Sequence, residues 1–414
     1  MVHVTYNKIQ VMYQQNAHKH NYCKVKYILT HMKKYTNLFR HFDKLGPIEQ
    51  MVSQNIHKIT KAAYPTSDSL LFFDPTRYRN LYRQWGQSGI FEHEKNEITP
   101  LIYGLINYQI EGIDSALRSG YSVQSSLVIN PIEKFGSDAL KQKYLPKLYS
   151  GEYIGCFGLT EPGAGSDPAG MATRAEAKGD YYVVNGSKIW ITNSPIADVF
   201  VIWCKDDAGQ IMGLVADRDH EGIQTPEIKE KLSLLASPTG YIYMDNVKVP
   251  KANRLDVRGL RGPFECLNKA RYGISWGVVG AMENVINTAM DYTDERVQFG
   301  RSLNANQLVQ GDLMKCVELY SSSLNNSFAS LQAIESFADL KSNLGLISFL
   351  KRVNCENALV VARICRDLLG GNGVSNAYNI MRHLMNLEAV NTYEGTRNVH
   401  NLILARELLG KSGF

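Results

Sequence analysis

Apolar positions along this chain change their period twice. Between Gly46 and Ser150 they recur every three or four residues, most regularly over 47–63 and 98–113, which predicts helices. Pro65, Pro75 and Pro131 punctuate that region. From Tyr153 the pattern shifts to short runs of β-branched and aromatic residues at 181–184, 188–192, 199–204, 211–215 and 241–243, each of strand length. Asn185-Gly186 lies between the first two runs and predicts a hairpin, because both turn positions need positive φ. Five or more short strands separated by turns suggest a small β-barrel or sandwich. After Pro263 the helical spacing returns over 265–296, 307–334, 343–369 and 397–409, with one break at Gly370-Gly371-Asn372-Gly373. The expected fold is α+β and multidomain. It comprises a poorly structured basic extension over 1–46, an N-terminal helical domain over 47–150, a middle β-barrel or sandwich domain over 151–262, and a C-terminal four-helix-bundle domain over 263–414. No internal repeat or low-complexity tract interrupts it.

Composition narrows the class. The chain has 414 residues, 44% hydrophobic and 21% charged, as soluble globular proteins do. No apolar run approaches the ~18 residues a spanning helix needs. Seven cysteines without a CxxC pair suggest reduced thiols in an intracellular protein, with neither a disulfide frame nor a metal site. The net charge of +5 is concentrated: residues 1–42 carry six Lys and Arg40 with no acid, so the remainder is at −2 and implies no nucleic-acid surface. That start reads as an unstructured extension, or as readthrough ahead of Met32 or Met51. A mitochondrial transit peptide is the alternative, although such peptides are rich in Arg and Ser. The expected compartment is the cytoplasm, or the mitochondrial matrix on that alternative.

Two motifs carry chemistry. Tyr393-Glu394-Gly395-Thr396 places a lone carboxylate at a tight break before the last helix, in a mostly apolar setting that would raise its pKa as an α-carbon base requires. About 230 residues upstream, Leu159-Thr160-Glu161-Pro162-Gly163-Ala164-Gly165-Ser166-Asp167 joins hydroxyls to glycines that let backbone amides approach an anionic partner. Each has a bland reading, a solvated glutamate and an ordinary surface loop. In this order and at this separation the pair resembles the acyl-CoA dehydrogenase family, over roughly Pro47 to Leu409. No GxGxxG fingerprint competes with it.

The resemblance implies FAD and a set of roles. Glu394 would be the base that removes the α-proton of an acyl thioester. The alternative family position on an earlier helix is Ala270, before Arg271. Phe157, Leu159, Thr160, Gly165 and Ser166 would line the flavin, Ser166 also touching the CoA chain. Trp190, Ile191 and Thr192 would pack on its ring. Arg296, Gln298, Phe299 and Gln307 would reach the FAD of a neighbouring subunit, with Asp367, Gly370 and Gly371 along the adenosine end. Thr396 and Asn398 would complete the cofactor site. A shared site of this kind implies a homotetramer, a dimer of dimers.

Longer matches, at 113–128, 262–277 and 385–396, resemble the glutaryl-CoA dehydrogenase branch. They imply that Arg118 meets the terminal carboxylate of a dicarboxylic acyl chain, tuned by Glu111 and Ser119, with Tyr393 beside the chain and Asn268 and Arg271 on the CoA portion. A charge buried without a partner is costly, so such a substrate needs a cation in its pocket. The plain alternative for Arg118 is a helix C-terminal cation near Gly120. The implied activity is oxidation and decarboxylation of glutaryl-CoA to crotonyl-CoA, with electrons passed to an electron-transferring flavoprotein. Other short- or branched-chain thioesters, or a silent flavin and CoA binder, are the alternatives. The chain departs from the branch at 91–100, where a glycine-rich loop bordering the substrate entrance is shortened, and at Arg397 and Asn398, where His-Asp is usual.

Overall fold

The computed structural model describes residues 38–413. The chain divides into two units, Met1–Lys44 and Leu45–Phe414. In the first, the described part is a short 3-10 turn, Phe42–Lys44, with an Arg40–Asp43 ion pair. Residues 1–37 of the basic extension lie outside the described residues.

The second unit opens with helices α1 (Pro47–Ala63), α2 (Pro75–Gln87) and α3 (Pro100–Ile113). Each starts on a proline, which lacks only an N–H the first turn would leave unbonded. The predicted start at 98 therefore moves to Pro100, where Thr99 caps α3 by accepting from the Ile102 N–H. The next stretch, α4 (Ser115–Ser122), a π-helical turn (Val123–Ile129) and α5 (Asn130–Phe135), is almost wholly buried. Helix α6 (Asp138–Tyr149) follows.

Strands β1 (Gly155–Gly158), β2 (Arg174–Lys178), β3 (Tyr181–Thr192), β4 (Val199–Lys205), β5 (Ile211–Asp217), β6 (Ile223–Gln224), β7 (Thr239–Pro250) and β8 (Arg254–Arg258) form one sheet in the order β6-β7-β3-β2-β4-β5-β8, with β1 parallel to β4. Val184, Phe200, Ile202, Leu214, Ile242 and Val247 fill its core. The hairpin expected at Asn185-Gly186 is absent. Both runs belong to β3, which passes through a bulge there, and the two-residue turn falls at Gly179-Asp180, where Lys178 pairs with Tyr181. Gly186 still uses its freedom: φ is +147°, and a Cβ would come within 2.5 Å of Thr173 Oγ1. The Asn185 side chain accepts from the Asn246 N–H across the sheet instead of closing a turn.

Helices α7 (Arg261–Glu295), α8 (Gln307–Ala329), α9 (Leu344–Leu368), α10 (Ile380–Thr392) and α11 (Arg397–Leu409) complete the unit. The predicted span 307–334 breaks into 3-10 structure after Ala329, and α10 adds a helix before the catalytic-type motif. Helix α9 packs on α7, α8, α10 and α11. Helices α3 and α7 cross at glycines; a Cβ on Gly280 would lie 2.0 Å from the Tyr108 carbonyl oxygen. No helix among the described residues is long and apolar enough to cross a membrane.

Candidate functional site

The site is built where α3, α4, α7, α9 and the α10–α11 break converge. Asp114 caps α4 through the Ala116 N–H at 2.7 Å and is itself held by Arg382, by ion pair, and by Asn386, both on α10. Asn386 in turn accepts from the Leu234 N–H in the loop before β7. One turn into α4, Arg118 is fully buried, so it is no surface helix-end cation. Its Nε donates to Glu111 Oε2 at 2.7 Å. Gly277 on α7 permits that pair, since a Cβ there would stand 2.1 Å from the same oxygen. Both terminal guanidinium nitrogens of Arg118 and Glu111 Oε1 lack partners among the described residues. The Tyr393 ring lies 5.5 Å from the guanidinium.

Glu394 follows α10 in the left-handed region, with φ +54°, and Gly395 follows at +111°. No side chain fits at 395, where a Cβ would reach within 2.8 Å of His400 Nε2. Two buried cations hold this turn by its carbonyls. Arg271 Nε donates to Glu394 O at 2.7 Å, and Lys351 Nζ donates to Asn391 O and Gly395 O. Asn268 accepts from the same Arg271. The Glu394 side chain is left uncommitted: Oε2 is buried without a partner. Burial pushes its carboxyl above the ordinary range, while Arg118, Arg271 and Lys351 pull against that rise. A half-buried carboxylate with one buried, bare oxygen, near cations but bonded to none through that oxygen, can take a proton from carbon.

The second motif is anchored from below. Glu161 accepts from the Ala172 and Thr173 N–H groups, the Thr173 hydroxyl and Lys188 Nζ, and Lys188 also donates to Leu159 O. Thus anchored, the loop presents Gly163 and Gly165 to open space, with Ser166 exposed. Phe157, Leu159 and Ile191 are buried behind it, while Trp190, at φ +61°, shows 57% of its surface. Thr160, Ser166 and Thr192 hydroxyls hold no partner among the described residues.

The remaining expected residues form a separate, outward-facing set. Arg296, Gln298, Gln307, Asp367, Gly370 and Gly371 are exposed, and Phe299 is 97% exposed. The Asn372 side chain joins the glycine turn to α7 through Tyr292. Thr396 caps α11 through the Val399 N–H, Asn398 is exposed beside it, and Ser119 is buried next to Arg118. The shortened 91–100 segment turns inward: Phe91 stacks on Tyr121, and His93 stacks on Phe337 5.6 Å away. Lys269 Nζ sits 4.4 Å over the same Phe337 ring, and burial brings that ammonium down to about 8.

Sequence reasoning missed Lys351, Lys188 and Glu161 as holding residues. A signal existed for Lys351, which falls in the buried stripe Ile347, Leu350, Asn354 and Ala358 of α9.

Comparison with known proteins identifies the family. The acyl-CoA dehydrogenase N-terminal, middle and C-terminal domain families match residues 79–152, 156–247 and 258–409. A glutaryl-CoA dehydrogenase of Desulfococcus multivorans is 32% identical over 383 residues, covering 87% of this chain and 96% of that protein. The crystal structure of glutaryl-CoA dehydrogenase from Mycobacterium smegmatis superposes with a TM-score of 0.85 at 35% identity, over 92% and 99% of the two chains. A second structure of a glutaryl-CoA dehydrogenase from that organism, in complex with FADH2, gives 0.84 at 34% over the same shares. The exposed indole, the open glycines and the three uncommitted hydroxyls fit a flavin, which needs an apolar face and hydrogen-bond donors at its rim. The chain belongs to the acyl-CoA dehydrogenase family and is an FAD-dependent oxidoreductase.

Proposed function

We propose that this acyl-CoA dehydrogenase oxidises glutaryl-CoA and decarboxylates it to crotonyl-CoA and CO2. The observation that carries this reading is Arg118: a fully buried guanidinium with two bare nitrogens beside the Tyr393 ring. A monocarboxylic chain would leave that cation facing methyl groups, whereas a terminal carboxylate can take both donors at once.

In this reading Glu394 removes the α-proton. Its backbone N–H, uncommitted among the described residues, is available to polarise the thioester carbonyl. Phe157, Leu159, Thr160, Gly165, Ser166, Trp190, Ile191, Thr192, Thr396 and Asn398 would hold FAD, which would supply the acceptor for a hydride from the β-carbon. Asn268 and Arg271 would lie along the CoA arm, although Arg271 already spends Nε on the Glu394 carbonyl. Oxidation leaves a glutaconyl thioester whose carboxylate is vinylogous to the carbonyl. Cleavage of that carbon–carboxylate bond releases CO2 and sends its electron pair toward the thioester. The proton held by Glu394 is then at hand for the γ-carbon, so base and acid are one group.

Electrons would leave to an electron-transferring flavoprotein. Assembly as a dimer of dimers, with Arg296, Gln298, Phe299, Gln307, Asp367, Gly370 and Gly371 meeting a neighbour's cofactor, is supported by the exposed Phe299 and Leu308. The six cysteines among the described residues are buried and free, which supports a reducing compartment, the cytoplasm on this reading. The test is anaerobic mixing of the FAD-loaded protein with glutaryl-CoA. Bleaching of the oxidised flavin band with crotonyl-CoA as product is expected. Bleaching with butyryl-CoA but not glutaryl-CoA would overturn the substrate assignment.

A further inference from the structure

Lys351 is an uneconomical residue where it stands. It is 1% exposed, and burial lowers its pKa, yet it forms no ion pair among the described residues. Its Nζ donates only to two carbonyls, Asn391 O at 3.0 Å and Gly395 O at 2.8 Å. Stability alone would favour a methionine of similar length, because burying an ammonium against neutral acceptors costs several kcal/mol. What the ammonium does join is specific. Asn391 is in the last turn of α10 and Gly395 lies just past Glu394, so one donor group bridges the chain before and after the left-handed residue. Arg271 holds the carbonyl between them. The charged and titratable groups around Lys351 are Glu394 on the break, Arg271 on α7, Arg118 on α4, His400 on α11 and Cys355 on its own helix.

We propose that Lys351 is a positioning residue for proton abstraction: by bridging the carbonyls of Asn391 and Gly395 it fixes the left-handed Glu394, so that the carboxylate is aimed at the α-carbon. The inference rests on the reading of Glu394 as the base. A non-glycine residue at positive φ persists only where its surroundings over-determine it, and here two buried cations on different helices do so. Without the bridge the turn can relax toward ordinary φ, carrying the carboxylate away by about 1 Å or more, a displacement on the scale that costs roughly 10²-fold in rate.

The test uses Lys351→Met and Glu394→Gln in the FAD-loaded protein, with flavin content and melting temperature as controls for folding. Glutaryl-CoA and butyryl-CoA are both mixed anaerobically, so the result does not depend on the acyl preference. For Lys351→Met the expected result is flavin reduction slowed by about 10- to 100-fold at saturating thioester, with KM changed little. The acid limb of the rate profile should also move to higher pH, since a cation that favours the Glu394 carboxylate has gone, and the slowing should persist on the plateau above that limb; a lysine that served only stability would lower the melting temperature and leave the plateau rate unchanged. Wild-type rate and pH profile in Lys351→Met, with Glu394→Gln inactive, overturn the inference and leave the base in place. Full activity in Glu394→Gln overturns the base and the inference together. If Lys351→Met does not fold, Lys351→Gln, which keeps one donor, decides by the same two readings.

Discussion

Exchanging Arg118 for methionine tests the acyl-binding argument most directly. Alone, Arg118→Met would leave Glu111 Oε2, now 2.7 Å from Nε, buried without its cation. Breaking one side of a buried pair costs about 3–5 kcal/mol of stability, so the substitution belongs in a Glu111→Gln background, where no charge is stranded. A glutaryl chain would then place its carboxylate in a buried site with both charge-assisted donors gone. Truncating one side of such a contact costs about 2–5 kcal/mol; two donors put the loss at about 3–5 kcal/mol, or on the order of a hundred- to a few-thousand-fold in kcat/KM. Butyryl-CoA ends in a methyl group and never engaged the guanidinium. Its kcat/KM should hold or rise. The assay is stopped-flow reduction of the flavin with both thioesters, reported as their ratio. A ratio that moves less than about fivefold, with both rates falling together, would refute the argument, because Arg118 would then serve the fold and not the acyl end.

Three further outcomes follow from the same geometry. The maximal rate should fall on acidification through a pKa above the ordinary glutamate value of 4.5, because the proposed reaction uses Glu394 as the carboxylate and burial raises its pKa; a pH profile of flavin reduction checks this. Gly280→Ala should lower the melting temperature measurably, by a few kcal/mol of stability, since its Cβ would sit 2.0 Å from a backbone oxygen in the α3–α7 crossing and neither helix can yield alone. Lys188→Met should release the 159–167 loop and strand the Glu161 carboxylate, giving protein purified with little flavin by its visible absorbance.

Much of this was readable in the sequence because it depends on local pattern. The bounds of α1 and α11 follow the three- and four-residue spacing residue for residue. The tight break at Gly395-Thr396 is written in a glycine and a capping hydroxyl. Other features depended on who the neighbours were. Asn185-Gly186 carries the strongest local hairpin signal, yet β7 pairs along both sides of it and absorbs the extra residue as a bulge. Segment 91–100 stands where the resembling branch has a loop at the substrate entrance, but His93 finds the Phe337 ring from a segment over 240 residues away. Arg118 could be placed on a helix by sequence, while its burial required Gly277 on a helix 159 positions later. Lys351 falls in the buried stripe of α9, but the role of its ammonium could not be read from sequence, because its acceptors are carbonyls, which every residue has.

Asp114 gives the site a mechanical consequence. The one carboxylate caps the helix bearing Arg118 and grips Arg382 and Asn386 on α10, the helix that leads into Glu394. Arg118 and Glu394, the arginine and the base of the proposed reaction, therefore share a hinge pin, and neither helix can slide without dragging the other. A change of substrate that needed a longer cavity could not be reached by shifting α4, because that shift would misalign the base. New acyl preferences in such a frame are open to evolution only by replacing side chains on a backbone that stays still.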